Sequence, residues 1–524
     1  MKTIKLIALF IATSLLFINC NNEDKDESIY TLPSGKSIIY DLGSKDVAGI
    51  SGTATFSENT DASVTILLEI TGIPNDGIHP AHIHINTAAE GGSIALSLAP
   101  VDGNNGQSVT IIETLDDGTA ITYDELLNFD GYINVHLSAS NLGTIVAQGD
   151  IGQNDLQGVG TTYDLGEKAV AGISGNVKFS ERLNGEVLAE IMLTGTPVGG
   201  EHPAHIHANT AVEGGGILLT FSPIIGDTGK SATNITSFDD GSAFTYSDIT
   251  SLDSYINVHL SSSALGTIVA QGDIGQNDLT EVTTSYDLGE KAVADISGVV
   301  TFSERINGEA LAQIILTGTP AGGEHPAHIH ANTAAEGGAI LFSFAPVNGN
   351  TGISATNVAF FDDGSTFTYS DIEGLDSYIN VHLSSDNLGT IVAQGDIGQN
   401  DLTGDSKSYT LDEKDAAGIS GTATFYKRTN GTALAVLDIQ NTPALGSHPA
   451  HIHENDAATG GAIAFTFNVV DGDTGISNTQ VAVLDNGNPT TYDELLTYNG
   501  YINVHLSATQ LSTIVAQGNI GSNE

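Results

Sequence analysis

Cysteine is all but missing: Cys20 is the one thiol in 524 residues. Its isolation excludes a disulfide framework and any thiolate metal site in the rest of the chain. Tryptophan is absent and aromatics make up only 6% of the residues, in keeping with a chain of short strands joined by many turns. Cations are scarce, with 15 Lys and Arg against 63 Asp and Glu and a formal net charge of −48. Such a surface repels nucleic acid, anionic lipid headgroups and anionic substrates, and favours cations and salty surroundings. There is no phosphate loop, no dinucleotide fingerprint and no serine-nucleophile motif. The loops at Asp471–Gly475 and Asn348–Gly352 lack the downstream glutamate of a calcium loop and read as hairpin turns.

What is present is repetition. His82, His205, His328 and His451 are spaced 123 residues apart, and the same step relates His136, His259, His382 and His505. Each copy opens on a segment like Tyr163–Gly175 and closes on one like Thr267–Gly275. The expected organisation is a leader at 1–19, an acidic tether at 20–36, and repeats at 37–158, 159–281, 282–404 and 405–524. A unit of this length can bury its own core, so the repeats are expected as beads on a string. Gly (61 residues) together with Ser, Thr, Asn and Asp implies short strands and many turns. Runs such as Ser63–Ile70, Val187–Leu193, Ile94–Leu98 and Tyr132–Leu137 read as strands. Thr122–Glu125 and Thr491–Glu494 have capping-box spacing and predict one short helix per repeat. The fold class is therefore all-β: four tandem immunoglobulin-like β-sandwich domains, each with one short helix.

All sixteen histidines fall in two motifs. The first holds His79, His82 and His84, repeated as His202, His205 and His207, as His325, His328 and His330, and as His448, His451 and His453. The second supplies His136, His259, His382 and His505. Residues two apart on a strand project from one face, roughly 6.5–7 Å apart. His82 and His84 can thus converge on one ion, with His136 joining from a neighbouring strand. The same reasoning names His205, His207 and His259, then His328, His330 and His382, then His451, His453 and His505. His79, His202, His325 and His448 are weaker candidates, because the proline that follows each constrains its backbone. Gln148 or Asp150 could orient a ring. Imidazole donors suit Cu or Zn, not Ca or Mg. The same pattern also admits hydrogen bonds that lock a sheet edge, or acid–base chemistry.

The run Ala81–His84, Gly131–His136 and Gly143–Gly149 resembles the CHRD (chordin) domain, four times over from about 37 to 524. The resemblance implies an immunoglobulin-like extracellular sandwich and little about activity. Thr144 and Val146 stand where that family carries Glu and Arg. A looser likeness is to copper/zinc superoxide dismutase, which also pairs His-x-His with a distant His. An enzyme of that kind is disfavoured, since superoxide is an anion and the only arginines are Arg182, Arg305 and Arg428. At the N-terminus, Lys2 and Lys5, the apolar run Ile7–Ile18 and then Cys20 resemble a lipoprotein signal peptide, with Cys20 as the lipidated residue. The expected protein is a non-catalytic lipoprotein anchored through Cys20 at the outer membrane or cell surface. It acts as a binding or scaffold array for an extracellular protein or glycan and coordinates one Cu or Zn per module. The alternative is dedicated metal sequestration or a redox protein.

Overall fold

The computed structural model describes residues 32–524; Cys20 and the leader lie outside them. Two compact units emerge, one ending at Leu156 and the other spanning Gln157–Glu524.

In the first unit, eight strands and one helical turn follow the chain. They are β1 (Pro33–Ser44), β2 (Ser51–Asn59), β3 (Val64–Thr71), β4 (Ile78–Ile85), β5 (Ile94–Asp102), β6 (Gln107–Ile112), α1 (Tyr123–Leu126), β7 (Asp130–Ser138) and β8 (Asn141–Gly152). β1 begins inside the segment read from sequence as tether, because Pro33 already pairs with Asn59 and Ser34 donates to Glu58. All ladders are antiparallel, in the order β1-β2-β3-β6-β5-β4-β7-β8. The circle closes where Gly43 and Ser44 at the end of β1 meet Gln148 and Ala147 of β8. The result is one closed eight-stranded barrel in which every strand has a neighbour on both sides, so no long edge is left unpaired.

Period-two alternation places the core. Along β3, Val64, Ile66, Leu68 and Ile70 are buried while their neighbours face outward. They meet Tyr40, Phe56, Ala81, Ile83, Ile133 and Val135 in one apolar cluster. Thr122 caps α1 through reciprocal bonds with Glu125, the capping box expected from the sequence.

The second unit repeats this pattern three times, with separate cores around Phe179, Phe302 and Phe425. Here the strand matching β4 is broken by Pro203, Pro326 or Pro449 into pieces such as Glu201–His202 and Ala204–Ala208. A proline has no N–H for the ladder, so the chain passes from one sheet to the other at that point. The helical turn persists as Tyr246–Ser251 and Tyr492–Leu495, and as a 3-10 turn at Tyr369–Gly374. These three repeats are not loosely strung beads. Backbone bonds such as Ile306 N–H to the Asp278 carbonyl and Asn307 N–H to the Gln276 carbonyl lock successive repeats together. No helix among the described residues is long and apolar enough to cross a membrane.

Candidate metal centre

β4 lies beside β7, with His82 opposite Asn134 and His84 opposite Tyr132. Ala81 and Ile83 point into the core, so His82 and His84 share the outer face of that sheet. The ladder between β7 and β8 shifts register between Val135 and His136. A bulge of this kind re-aims a side chain, and His136 turns toward the pair on β4. The ring centroids stand 5.1 Å apart for His82 and His136 and 5.9 Å apart for His82 and His84. In each repeat one nitrogen from each of the three rings lies within 4.8 Å of the other two. The four sets are His82/His84/His136, His205/His207/His259, His328/His330/His382 and His451/His453/His505.

The tautomers follow from the partners. His84 Nδ1 lies 2.9 Å from the Gly92 carbonyl oxygen and His136 Nδ1 2.7 Å from that of Leu142. A carbonyl only accepts, so both Nδ1 atoms carry the proton and both Nε2 atoms present a lone pair. The Nε2 atoms of His84, His207, His330 and His453 are buried with no hydrogen-bond partner, as is His82 Nδ1. In the second repeat His205 Nδ1 lies 3.0 Å from His259 Nε2, so in the metal-free protein a single shared proton sits between two lone pairs. The buried ring nitrogens without a partner are costly, and a cation with imidazole affinity satisfies them. Tyr132 completes the frame by stacking on His84 at 4.9 Å and accepting the Gly92 N–H through its hydroxyl.

The remaining expectations fare differently. His79 does not join the cluster. It lies on the core side of β4, 1% exposed, and its Nδ1 donates to the backbone carbonyl of His136 at 3.2 Å. His202, His325 and His448 make the same contact to His259, His382 and His505. The residue two before each is glycine for a visible reason: a Cβ on Gly77 would stand 2.2 Å from His79 Nε2. Gln148 and Asp150 contact groups next to the rings. Gln148 donates to Asn134, and Asp150 accepts the Ala88 N–H. Ring orientation comes from backbone carbonyls, which residue types do not encode. The Asp471 loop is a turn, with its carboxylate taking the N–H groups of Asp473 and Thr474.

Replacing His202 with alanine therefore removes a fully buried ring and leaves the His259 carbonyl without its donor. A loss of about 2–4 kcal/mol of stability in that repeat follows, read by denaturant unfolding, with bound metal unchanged at saturating concentration.

Burial holds His82 and His136 below the usual imidazole range, with repulsion from neighbouring rings adding to it; Asp116 opposes this at His82 and the Leu142 carbonyl at His136. The same direction and leading cause apply to His205, His259, His328, His382, His451 and His505. A depressed folded-state value means that the unfolded chain binds more protons just below about pH 6.5. The stability these rings contribute is complete above that pH and is lost as the pH falls through their folded-state values. In the metal-free protein the melting temperature should decline between about pH 6.5 and 5, a window in which ordinary carboxylates remain ionised. A flat profile there would contradict this.

No family model matches the chain, and no curated protein matches it. Among solved structures, a biofilm associated protein, BSP domain, is similar at 9% identity over 98% of this chain and 99% of that one. Its TM-score of 0.13 carries no argument.

Proposed function

We propose that this chain is a non-catalytic, surface-tethered binding array in which every repeat holds one Cu or Zn ion. The three imidazoles are His82, His84 and His136 in the first repeat and their counterparts in the other three. The observation that carries this reading is the fourfold recurrence of three converging nitrogens, two of them fixed as lone-pair donors by carbonyl bonds. Three protein imidazoles leave a coordination position open to water or an incoming ligand. That open position supports a second reading, a redox or metal-relay role. The charge of −48 restricts it to cationic or neutral partners. Cys20, lipidated at the outer membrane or cell surface, supplies the tether in this proposal. Four linked modules then give avidity for an extracellular protein or glycan, or carry the sites away from the surface. Resemblance to the CHRD module agrees with an extracellular setting.

The test is elemental analysis of the purified chain after dialysis against excess Cu or Zn and then buffer. Close to four equivalents per chain supports the proposal. Less than half an equivalent per repeat removes the metal from it and leaves the histidines as structural groups.

A further inference from the structure

Arg305 and Arg428 are the largest fully buried side chains among residues 283–524, each 0% exposed, and neither belongs to a metal centre. Arg305 stands at the start of the third repeat and reaches back into the second. Its Nη1 donates to Asp273 Oδ2 at 2.8 Å and to the carbonyl of Asn277, and its Nε donates to Asn357 Oδ1 at 2.9 Å. Arg428 repeats the arrangement into the third repeat, with Asp396 at 2.7 Å, the Asn400 carbonyl and Gln480.

The carboxylate gripped by each arginine has a second task. Asp273 Oδ1 accepts the Ala211 N–H at 2.7 Å, and Asp396 Oδ1 accepts the Ala334 N–H at 2.8 Å. Ala211 belongs to the loop between Ala204–Ala208 and Ile217–Thr220, and Gly215 of that loop supplies the carbonyl that fixes His207 Nδ1 at 3.0 Å. Asp273 also pairs across the ladder with Tyr255, the ring stacked on His207. One aspartate thus ties the loop that orients a metal-site imidazole to a buried cation from the following repeat.

The sequence varies at this position. The fourth repeat carries Asn519 in place of the aspartate. Asn519 keeps the loop contact, accepting the Ala457 N–H at 2.9 Å. An amide makes the same bond with no charge to desolvate. In the first repeat Asn59 occupies the position of the arginine.

We infer that Asp273 and Asp396 are positioning residues of a directional clasp, through which the third and fourth repeats hold the His207 and His330 loops of the repeats before them. The inference about metal affinity rests on the proposed function; the mechanical coupling does not. Sites in the second and third repeats are tuned by the repeat that follows, and the site in the fourth is autonomous.

The test uses the full chain carrying Arg305→Met, Asp273→Asn or both, with two readouts. Hydrogen exchange of the metal-free protein reports on loop 208–216, with loop 454–462 of the fourth repeat as the internal reference. Zinc titration reports on affinity. Arg305→Met should speed exchange in 208–216 on the order of tenfold and turn one zinc site in four into a class about tenfold weaker, leaving 454–462 unchanged. Asp273→Asn reproduces the fourth repeat's arrangement, so adding Arg305→Met to it should change exchange in 208–216 far less than it does in the parent chain. Should Arg305→Met unfold the third repeat outright, Asp273→Asn alone decides. A rise in 208–216 exchange toward the rate of 454–462 supports the clasp, and no change overturns it. Equal changes in both loops, or additive effects of the two substitutions, also overturn it. If the parent chain takes up no zinc, the metal reading fails while exchange still decides the clasp.

Discussion

Replacing His205 and His207 together with alanine should lower bound Cu or Zn from four ions per chain to three and leave the fold intact. Ala204 and Ile206 make the core contacts of their strand, while His205, itself buried, and His207 stand on the other face. Truncation therefore leaves the apolar core in place and removes, on that side, the contact of His205 Nδ1 to His259 Nε2. His207 gives up one hydrogen bond to the Gly215 carbonyl and its stacking on Tyr255, a modest cost next to the chemistry lost. One imidazole, His259, remains, and a lone neutral nitrogen does not hold a divalent ion against water. The affinity loss therefore exceeds the roughly 10–100-fold that follows from removing an outer-sphere partner. A second consequence appears in stability. Metal at 100 times its dissociation constant stabilises the folded state by about 2.7 kcal/mol, so the second repeat of the variant should no longer gain on metal addition while the others do. Elemental analysis and paired melts with and without metal measure both effects. A variant that unfolds with unchanged metal content per folded chain would assign these histidines to structure instead.

Phe302→Ala should cost about 3–5 kcal/mol, the usual range for emptying a buried phenylalanine site. Phe302 is 0% exposed, with the rings of Tyr286 and Phe344 at 6.3 and 6.4 Å. It sits at the centre of a core that the other repeats do not share, and its strand neighbours cannot collapse into the gap without giving up their ladders on both sides. Unfolding of the third repeat should therefore separate from that of the rest, seen in calorimetry as a new transition at lower temperature. A uniform shift of under about 1 kcal/mol would mean that the repeats do not carry separate cores.

Much of this was legible in the sequence because it depends on periodicity. Alternation along Val64–Thr71 names a strand and its buried face, and the two-residue spacing of His82 and His84 puts both rings on one side. Thr122 and Glu125 announce their turn. Three things were not legible. The adjacency of β4 and β7, which brings His136 to the pair, is a matter of sheet order, and no local pattern encodes it. His79 stands an odd number of positions from His82, at a register shift of the β4–β5 ladder, so its ring falls on the buried face with Ala81 and Ile83 and bonds the backbone of His136. The groups that fix the imidazoles are the carbonyls of Gly92 and Leu142, and every residue type has a carbonyl. The clasp lay between these cases. Arg182, Arg305 and Arg428 recur at one position of the last three repeats and Asn519 replaces an aspartate in the last, a pattern open to reading. What it meant needed Arg305 to be seen fully buried against Asp273.

The central claim is that each repeat binds its ion through three imidazoles. X-ray absorption spectroscopy of the full chain loaded with four equivalents of copper tests this most directly. The account predicts a nitrogen shell with outer-shell scattering from three imidazoles per ion, the same at all four sites. A shell of oxygen donors with one imidazole or none would contradict it, since the copper would then be sitting on surface carboxylates.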